Sequence, residues 1–369
     1  MERTESGLRK ALFMDAKTGL DEFRKRINPL LREHFDAVIN ETARDDELVA
    51  GALTEVRDII LAGGKRLRAA MMCAGYFSAG GEDEERILRA SMSVELVHAF
   101  LLVHDDVIDR DNLRHGRPSL HSHYADFGNS IFPNPGDAAH FGDSIAIILG
   151  DMVAALGNDL IFRSGFPNER IFRALSELQR IVSYTVIGQA MDLSFGFRKD
   201  VSKDDVLRMY EYKTAKYTVE GPLILGALLA GADDGLVDTL GRFAIPTGIA
   251  FQIRDDILGA FGTEEKIGKP IGSDVEEGKR TLPVLFALER SGKTERDELK
   301  KILSAGTLRS GDLCRFRNIL RDSGALDSSS DSMVQLVEEA KRSIVSADVP
   351  DDAKAFLVSV ADYISERNF

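Results

Sequence analysis

The sequence predicts an all-α protein. Apolar residues recur with helical periodicity along most of the chain, and we find neither the sustained alternation of strands nor a hairpin signal between apolar runs. Hydrophobic residues make up 44% of the sequence and charged residues 29%, which is ordinary for a protein that buries a core. Because no segment has the composition of a linker and no repeat is present, we predict one helical domain over residues 1–369, with residues 282–369 as a helical C-terminal cap.

Four helices are predicted in the first third of the chain, followed by a loop. The predicted helices are Leu20–Asn40, Asp46–Ala62, Lys65–Ser78 and Glu84–Asp111. The glycine pair Gly63-Gly64 ends the second of them. The segment Leu113–His140 is rich in His, Pro, Gly and Asn, and a loop of that length favours a functional loop or lid.

Longer helices dominate the middle of the chain and shorter ones its end. The predicted helices of the middle are Phe141–Arg163, Asn168–Phe197, Asp204–Tyr212, Thr214–Ala232 and Leu236–Phe261. Pro222 predicts a helix start or kink, and Pro246 predicts a bend. A polar, Gly-rich loop is predicted for residues 262–279, followed by four or five shorter helices with a hinge at Asp327–Ser332.

Three aspartates form a D-D-x-x-D motif near the end of the fourth helix, at Asp105, Asp106 and Asp109. Asp105 and Asp109 are four residues apart, so on a helix they lie on one face, one turn apart. Two carboxylates about 6 Å apart repel by about 3 kcal/mol at an effective dielectric of about 20, which makes such a face costly without a cation. These oxygen ligands suit Mg²⁺, which leaves positions open for substrate phosphates. The alternative is a solvated acidic helix end, but the apolar stretch Ser91–Val103 favours a cleft.

Charge and cysteine content exclude several classes of function. The net charge of −13 disfavours nucleic-acid binding, which needs a basic surface. Cys73 and Cys314 form no C-x-x-C pair, which fits a reducing compartment and argues against a disulfide scaffold or a thiolate zinc site. No apolar run reaches the roughly 18 residues of a membrane span, and the N-terminus lacks a signal-peptide core, so we expect a cytoplasmic protein without an integral membrane segment.

Two groups of basic residues are candidates for phosphate binding. Lys65 and Arg68 share a face near a helix N-terminus, where free N–H groups and the helix dipole attract anions. The alternative is a basic first turn in water. The second group lies around the later loop and comprises Lys213, Lys266, Lys269, Lys279 and Arg280. Each of these alone is compatible with an ordinary surface cation, but together they place cations beside carboxylates, as a Mg²⁺-diphosphate site requires.

A second acidic pair, Asp255-Asp256, lies on a second long apolar helix. Two such pairs on two helices suggest carboxylates that face each other across a helical cavity. Gly259 occupies the position of a third Asp. Glu95 and His98 have the E-x-x-H spacing of a di-iron bundle, but none of the other histidines has a Glu three residues before it, so we reject that kind of site.

These motifs resemble those of the trans-isoprenyl diphosphate synthases, the polyprenyl synthetase family. The matching blocks are GGKRLR (63–68), ELVHAFLLVHDDVIDRDNLRHGRP (95–118), KTAKYT (213–218), FQIRDDILGAFG (251–262) and GKPIGSDVEEGKRTLP (268–283). Their order and spacing are similar to the family's along most of the chain. The segments 141–151 and 217–226 are similar to geranylgeranyl diphosphate synthases of actinobacterial type.

The resemblance implies an antiparallel helical bundle around a central cavity, of isoprenoid synthase type, usually as a homodimer. It implies condensation of isopentenyl diphosphate with the allylic diphosphates dimethylallyl, geranyl and farnesyl diphosphate, using about three Mg²⁺ ions, to a short-chain product, geranylgeranyl diphosphate. The alternatives are a farnesyl or longer polyprenyl diphosphate synthase, a class I terpene cyclase, and a non-catalytic subunit of a heteromeric synthase. A cyclase has no reason to keep Lys65, Arg68 and His98, and a non-catalytic subunit is expected to have lost motif residues, whereas nearly all are present.

The resemblance also assigns roles to individual residues. The implied Mg²⁺ ligands are Asp105, Asp109 and Asp255. The implied contacts of isopentenyl diphosphate are Lys65, Arg68 and His98, and those of the allylic diphosphate are Arg114, Lys213 and Lys279, with Lys269 close by. Thr214 and Gln252 would face the developing carbocation.

Two further positions bear on substrate and product. His115 stands where many members have a second arginine, so the contact to isopentenyl diphosphate is either weakened or supplied by Arg117. In the family, the residues five and four positions before the first Asp form the cavity floor; here they are Phe100 and Leu101. An aromatic residue only at the fifth position resembles synthases that stop at geranylgeranyl diphosphate. The alternative is that Phe100 is ordinary core.

Overall fold

The computed structural model describes residues 7–198, 200–262 and 272–366, and almost all of its regular structure is helical. The first helices are α1 (Leu8–Leu12), α2 (Ala16–Thr42), α3 (Glu47–Ala62), α4 (Leu67–Ser78), α5 (Glu84–Asp109), α6 (Leu120–Gly128), α7 (Pro135–Phe162), α8 (Asn168–Phe195) and α9 (Lys203–Tyr210). A π-helix (Glu211–Glu220) follows, and then α10 (Gly221–Ala230), α11 (Asp234–Phe261), α12 (Ser273–Glu276), α13 (Leu282–Arg290), α14 (Lys293–Leu303), α15 (Asp312–Asp322), α16 (Ala325–Val345) and α17 (Asp351–Glu366). The predicted all-α class is confirmed.

Local sequence signals explain where several helices begin and end. The side chain of Asp46 accepts hydrogen bonds from the backbone N–H groups of Leu48 and Val49, which caps α3. Pro222 lies in the first turn of α10, directly after the π-helix with which α10 is continuous, so the proline falls where the helix type changes. Pro246 lies inside the continuous helix α11. The bend predicted there stays a prediction.

The predicted loop Leu113–His140 is partly wrong, because it contains regular structure. Strands β1 (Leu113–Arg114) and β2 (Arg117–Pro118) pair antiparallel, and α6 follows them. His115 and Gly116, which join the strands, both have positive φ, 51° and 74°, as a type I′ hairpin turn requires. The strands have only two residues each, which is too short for an alternating pattern to be visible in the sequence.

The predicted hinge at Asp327–Ser332 is also wrong, because these residues lie inside α16. The hydroxyls of Ser328 and Ser329 donate to the carbonyl oxygens of Gly324 and Ala325, at 3.0 and 2.8 Å. Bonds to the preceding turn satisfy the hydroxyls without breaking the helix. Ser329 is fully buried, so its small side chain serves close packing rather than flexibility. Gly324, with φ 69°, marks the actual break before the helix.

The described chain forms two compact units. The first consists of the chain up to Cys73 together with Gly81–Leu175, and the second of Ala74–Gly80 together with Ser176 onward. In the first unit α7 packs against α5 and α6; in the second, α11 packs against the π-helix and α16. The prediction of one domain over residues 1–369 stays a prediction.

Glycines allow two helices of the second unit to approach the π-helix. A methyl group at Gly248 of α11 would overlap the backbone of Ala215, and one at Gly188 of α8 would overlap the backbone of Lys213. The π-helix, which carries the K-T pair of the site, is therefore held between two helices at backbone contact distance.

Helices α5 and α7 are long and apolar enough to cross a membrane by length and composition, with mean hydropathy 1.4 and 1.8. In α5, 61% of that apolar window is buried inside the protein, as in the core helix of a soluble protein. Since core helices pass the same test, the expectation of no integral membrane segment stays a prediction.

Candidate active site

The predicted site residues are distributed over both units, and each set has its own geometry. Most residues predicted to hold metal and isopentenyl diphosphate lie in the first unit, on α5, on the loop before α4 and on the β1–β2 hairpin. Lys213, Thr214, Gln252, Asp255 and Lys279 lie in the second unit. Lys269 lies outside the described residues.

The acidic motif occupies the last turn of α5 and divides into two kinds of aspartate. Asp105 and Asp109 are partly exposed, whereas Asp106 is buried. Nε of Arg114 donates to Oδ1 of Asp106 at 2.9 Å, and Nη2 of Arg114 lies 3.5 Å from Oδ2 of Asp111. Burial raises the pKa of Asp106 to about 6, against the opposing charge of Arg114. Arg114 therefore holds the end of α5 in place through Asp106 and Asp111.

The remaining face of the motif fits a divalent cation. Asp105 and Asp109 offer hard carboxylate oxygens one helical turn apart. Within residues 7–198, 200–262 and 272–366, no group of three or more His, Cys, Asp or Glu side chains is placed to hold a metal. Mg²⁺ in phosphate-processing sites takes one or two carboxylates and completes its shell with water and substrate oxygens, so two carboxylates are the donor set expected.

The loop before α4 is held by an arginine that sequence reasoning did not single out. Arg66 has positive φ, 57°, and its buried side chain donates to Oδ1 of Asn28 (2.8 Å), to the carbonyl of Ile60 (2.6 Å) and to Oε2 of Glu95 (3.3 Å). Oε1 of Glu95 also accepts the backbone N–H of Ala69 in the first turn of α4, at 3.2 Å. Glu95 thus serves as a structural partner of Arg66 and Ala69, which agrees with our rejection of a di-iron site. Its bond to Arg66 fixes the loop that carries Lys65.

Histidines and arginines gather beside this loop. Burial and the nearby positive charges of Arg68 and Arg114 hold the pKa of His98 well below its ordinary value, so the imidazole is neutral at neutral pH. The exposed His115 packs its ring on the same loop, since a methyl group at Gly63 would lie 2.9 Å from it. Although the residue as a whole is exposed, desolvation of the imidazole packed on this loop, together with the charge of Arg114, lowers the pKa of His115. The structure therefore brings Arg68, His98, Arg114 and His115 together within the first unit.

Arg117, the other candidate contact for isopentenyl diphosphate, is turned toward α3. Its guanidinium lies 3.7 Å from Oε2 of Glu55 and 3.9 Å from Oδ2 of Asp58. Both are partly exposed ion pairs at long distance, which restrain a side chain weakly. Of the two alternatives left open by the sequence, His115 is the one that lies against the glycine loop.

In the second unit the K-T pair makes two separate contacts. Nζ of Lys213 lies 2.5 Å from Oδ2 of Asp192 on α8, a carboxylate that sequence reasoning missed. The hydroxyl of Thr214 donates to Oε1 of Gln252 on α11 at 2.6 Å, so the two residues predicted to face the carbocation are in direct contact. A G-Q-x-x-D run at 188–192 carries Asp192, but a single acidic residue on a helix gives no signal without its partner.

Gln252 is in turn held by a buried carboxylate. Its Nε2 donates to Oδ1 of Asp256 at 2.8 Å, and the hydroxyl of Tyr210 donates to Oδ2 of Asp256. Burial raises the pKa of Asp256 to about 7, against these two hydrogen bonds. Asp255, the predicted metal ligand, is less buried than Asp256. The second acidic pair thus has one buried and one partly exposed member, like the first.

The position of Gly259 is occupied by a carboxylate from elsewhere in the chain. A methyl group at Gly259 would lie 3.0 Å from Oδ2 of Asp274, which belongs to α12. Nζ of Lys279 lies 3.3 Å from Oδ1 of Asp274 and 2.8 Å from Oε2 of Glu277. Asp274 therefore places a carboxylate beside the incomplete second motif, next to a predicted diphosphate contact. Asp274 lies in the family-like block GSDVEEGKR (272–280), where it is one of several acidic residues and nothing local distinguishes it.

Comparison with known proteins identifies the chain. The model of the polyprenyl synthetase family matches residues 51–319. The chain belongs to the polyprenyl synthetase family. It is a trans-prenyltransferase that makes short-chain prenyl diphosphates, as the residues above predict.

Relatives of this polyprenyl synthetase cover nearly its whole length. It is 35% identical over 315 residues to geranylfarnesyl diphosphate synthase of Aeropyrum pernix, across 84% of this chain and 92% of the relative. It is 31% identical to geranylgeranyl diphosphate synthase of Methanosarcina mazei, across 95% and 99%. The solved geranylgeranyl pyrophosphate synthase of Corynebacterium glutamicum, in complex with isoprenyl diphosphate and magnesium, matches with TM-score 0.88 at 31% identity, across 95% and 99%. The isoprenoid synthase fold and the actinobacterial resemblance are confirmed.

The residues predicted to limit product length lie on α5 of this prenyltransferase. Phe100 and Leu101 are both half-buried. The Phe100 ring meets the His104 ring edge-on, with centroids 4.9 Å apart and planes at 80°. Nε2 of His104 lies 3.0 Å from the carbonyl oxygen of Ile147 on α7, which fixes the imidazole. The Phe100 ring therefore packs against a histidine one turn further along its own helix.

A cleft of about 600 Å³ in the first unit belongs to a different region of α5. Its lining includes His34, Arg86, Ala90, Met92 and Asp159, none of which is a predicted site residue. Ala90 precedes the acidic motif by about 22 Å along the helix. The charges beside the cleft pair with close neighbours, as Arg163 with Asp159 at 2.8 Å. The cleft shows no sign of phosphate chemistry.

Proposed function

We propose that this chain condenses isopentenyl diphosphate with dimethylallyl, geranyl and farnesyl diphosphate in turn and releases geranylgeranyl diphosphate. The observation that carries the proposal is the arrangement of the first unit: carboxylates one turn apart at the end of α5, beside a separate cluster of Arg68, His98 and His115. Carboxylates that hold a metal ion suit the binding of one diphosphate, and a neighbouring cluster of hydrogen-bond donors suits the binding of a second diphosphate. Only a reaction that condenses two diphosphate substrates needs both binding sites.

Chain elongation requires that an allylic carbon–oxygen bond breaks, with its electron pair leaving on the diphosphate and a cation remaining on carbon. Mg²⁺, on which the family depends, supplies positive charge at the leaving diphosphate when it is bound. We assign the ligands to Asp105, Asp109 and Asp255, with about three ions in all. Lys213 and Lys279 grip the same diphosphate, with Lys269 near them.

The remaining residues serve the second substrate and the cation. Lys65, Arg68 and His98 hold isopentenyl diphosphate; the neutral His98 acts as a hydrogen-bond partner rather than as a charge. Arg114 contributes to the allylic site from its position beside Asp106. Thr214 and Gln252 present oxygen atoms to the cation, where electrostatic stabilisation is needed only as the charge develops.

Removal of the metal-binding face tests the activity itself. Asp105→Ala and Asp109→Ala should each lower Mg²⁺-dependent turnover by at least about 100-fold, the scale of losing a transition-state electrostatic group. The fold should survive, because removing a carboxylate from an acidic face relieves repulsion. The assay uses labelled isopentenyl diphosphate with each allylic primer and chromatography of the dephosphorylated products. Asp331→Ala, at an exposed site on α16, is the control. A variant that keeps more than about a tenth of the wild-type rate contradicts the assignment.

Product length rests on Phe100. As a cavity floor, Phe100→Ala should open space and give longer prenyl diphosphates at similar total turnover. As core, truncation of this half-buried ring should lower the free energy of unfolding by less than the about 3–5 kcal/mol of a fully buried phenylalanine and leave the product unchanged. Phe35→Ala, at a fully buried position of α2, is the core reference: it should lower stability more than Phe100→Ala does, without a change in product. A folded, active Phe100→Ala enzyme with the wild-type product distribution rules out the floor.

Geranylfarnesyl diphosphate is the second candidate product, because the Aeropyrum pernix relative that carries this name is 35% identical to the chain. The same chromatography separates the two products. A product one isoprene unit longer than geranylgeranyl diphosphate from the wild-type enzyme would place the floor below Phe100.

We also propose a cytoplasmic homodimer. Exposed aliphatic side chains on α7, at Ile147 and Ile148, and on α8, at Val186, Ile187 and Leu193, support a subunit interface, since apolar surface of this kind is covered in oligomers. Light scattering at the assay concentration measures the mass, and twice the chain mass of 40.6 kDa is expected.

A further inference from the structure

A chain of hydrogen bonds in the second unit joins the predicted cation-facing residues to the start of α13. The backbone N–H of Leu282 donates to the hydroxyl oxygen of Tyr210 at 2.8 Å, and the Tyr210 hydroxyl donates to Oδ2 of Asp256. Nε2 of Gln252 donates to Oδ1 of Asp256 at 2.8 Å. The Thr214 hydroxyl donates to Oε1 of Gln252 at 2.6 Å. Each of these hydrogen bonds joins two different helices, except the one between Gln252 and Asp256, which both lie on α11.

The direction of these bonds is set by Asp256. One oxygen of the Asp256 carboxyl accepts from Nε2 of Gln252 and the other accepts from the Tyr210 hydroxyl, so the NH₂ group of the Gln252 amide faces Asp256 and the amide oxygen faces Thr214. Thr214 then donates its single proton to that oxygen. The hydroxyl oxygen of Thr214 keeps both of its lone pairs, and Oε1 of Gln252 keeps the lone pair that does not accept from Thr214. Both residues are therefore held with oxygen, rather than N–H, available to a neighbouring positive charge.

Tyr210 is the residue on which this orientation depends. Its side chain is among the largest fully buried ones in the protein, so its hydroxyl has no water to exchange partners with. The hydroxyl uses its one proton on Asp256 and accepts an N–H that the first turn of α13 leaves without a helical partner. Leu282 lies three residues after Lys279, so the same hydroxyl also holds the end of the segment that carries a predicted diphosphate contact.

We propose that Tyr210 is a positioning residue: through Asp256 it fixes the amide of Gln252 so that Gln252 and Thr214 present oxygen to the allylic carbocation. The inference rests on the proposed function, which places that cation beside Thr214 and Gln252. Without the Tyr210 hydroxyl, Asp256 loses the donor that fixes one of its oxygens, and its carboxylate is free to rotate away from Gln252. The Gln252 amide then samples both orientations, and one of them turns N–H toward the cation.

Tyr210→Phe tests the inference, because it keeps the buried ring and removes only the hydroxyl. Since the oriented oxygens matter only when charge develops, kcat should fall about 10-fold or more, less than the loss of a direct transition-state contact. The KM values for isopentenyl diphosphate and for the allylic primer should stay within about threefold. Tyr124→Phe is the matched control: Tyr124 is also buried, and its hydroxyl donates to the Leu48 carbonyl at 3.3 Å. Both residues belong to the first unit, whereas the hydrogen-bonded residues around Tyr210 belong to the second. It should lower the melting temperature by a similar amount and leave kcat unchanged.

A double variant separates positioning from a general structural effect. If Tyr210 acts through Gln252, Tyr210→Phe should lower kcat by less than about twofold when it is added to Gln252→Ala, because coupled residues are not additive. An equal loss in the wild-type and Gln252→Ala backgrounds overturns the inference, as does a Tyr210→Phe enzyme with wild-type kcat. A wild-type enzyme that does not elongate any allylic primer overturns the proposed function instead, so the two failures are distinguishable.

Discussion

The ion pair between Arg66 and Glu95 should decide both the stability of the first unit and the position of the loop that carries Lys65. Both side chains are only 3% exposed, and Nη1 of Arg66 lies 3.3 Å from Oε2 of Glu95. The other carboxylate oxygen accepts the N–H of Ala69. Glu95→Leu removes the carboxylate and leaves a buried guanidinium without its counter-charge, together with an unsatisfied backbone N–H.

The magnitude follows from burial. Removing one partner of a buried ion pair costs about 3–5 kcal/mol, a large part of the roughly 5–15 kcal/mol that stabilises a domain. Glu95→Gln keeps an acceptor for Ala69 and for Arg66, so it should cost about 1–3 kcal/mol. Arg66→Met combined with Glu95→Leu removes both charges, and the double variant should recover about 1–3 kcal/mol relative to Glu95→Leu.

Urea unfolding followed by circular dichroism measures the free energy of unfolding, with equal m-values as the check that the transition is comparable. Steady-state kinetics should show a higher KM for isopentenyl diphosphate in Glu95→Gln, with a smaller change for the allylic primer, since Arg66 lies between Lys65 and the first turn of α4. A loss below about 1 kcal/mol in Glu95→Leu, or equal stability of the single and double variants, would refute the reasoning.

Two further predictions concern the π-helix. Gly188→Ala places a methyl group against the Lys213 backbone, so it should lower the free energy of unfolding by about 1–3 kcal/mol and lower kcat about 10-fold or more by displacing Lys213 and Thr214. Gly51→Ala is the control in another helix, because a methyl group there would make only an ordinary contact at 3.5 Å. Equal effects of the two variants on kcat contradict the prediction. Burial raises the pKa of Glu220 above its ordinary 4.5, so the folded state binds the proton more tightly and stability should fall as pH rises from about 4.5 through the folded pKa. The positive charge of Lys216, with Nζ 3.4 Å from Oε2 of Glu220, opposes this increase in the pKa of Glu220, so Lys216→Met should make stability fall more steeply with pH. Urea unfolding midpoints of both proteins between about pH 4.5 and 8 test this. Midpoints that change equally with pH in the wild type and in Lys216→Met contradict the prediction.

The long helices could be predicted from the sequence because each buries a continuous apolar face. The bounds of α3 and α5 agree with prediction to within a few residues, and Asp46 and Asp83 cap them locally. The hairpin and the helix at Asp327–Ser332 could not be predicted in the same way. Two-residue strands have no visible period. In the serine-rich run, the hydroxyls of Ser328, Ser329 and Ser332 donate to carbonyl oxygens one turn back, and the helix packs against α11, which the sequence alone does not show.

The candidate site was predictable where one short segment holds all the information, as in the spacing of Asp105 and Asp109. Partners that come from distant segments were not. Glu95 meets Arg66 across 29 residues, and Tyr210 meets Asp256 across 46. The role of each of these residues depends on the contact that it makes and not on its residue type, so no local sequence pattern indicates these pairs.

The two acidic pairs show how adjacent aspartates take different roles. Neighbouring residues on a helix point about 100° apart, so one member of a pair can face outward while the next faces the core. In both pairs the first member is partly exposed and the second is buried. Asp106 is held by Arg114, and Asp256 by the hydroxyl of Tyr210 and the amide of Gln252. A buried carboxylate must be hydrogen-bonded, and its partners are thereby fixed as well. The second aspartate of each pair thus fixes the side chains that it contacts, while the first is the one that we propose as a metal ligand.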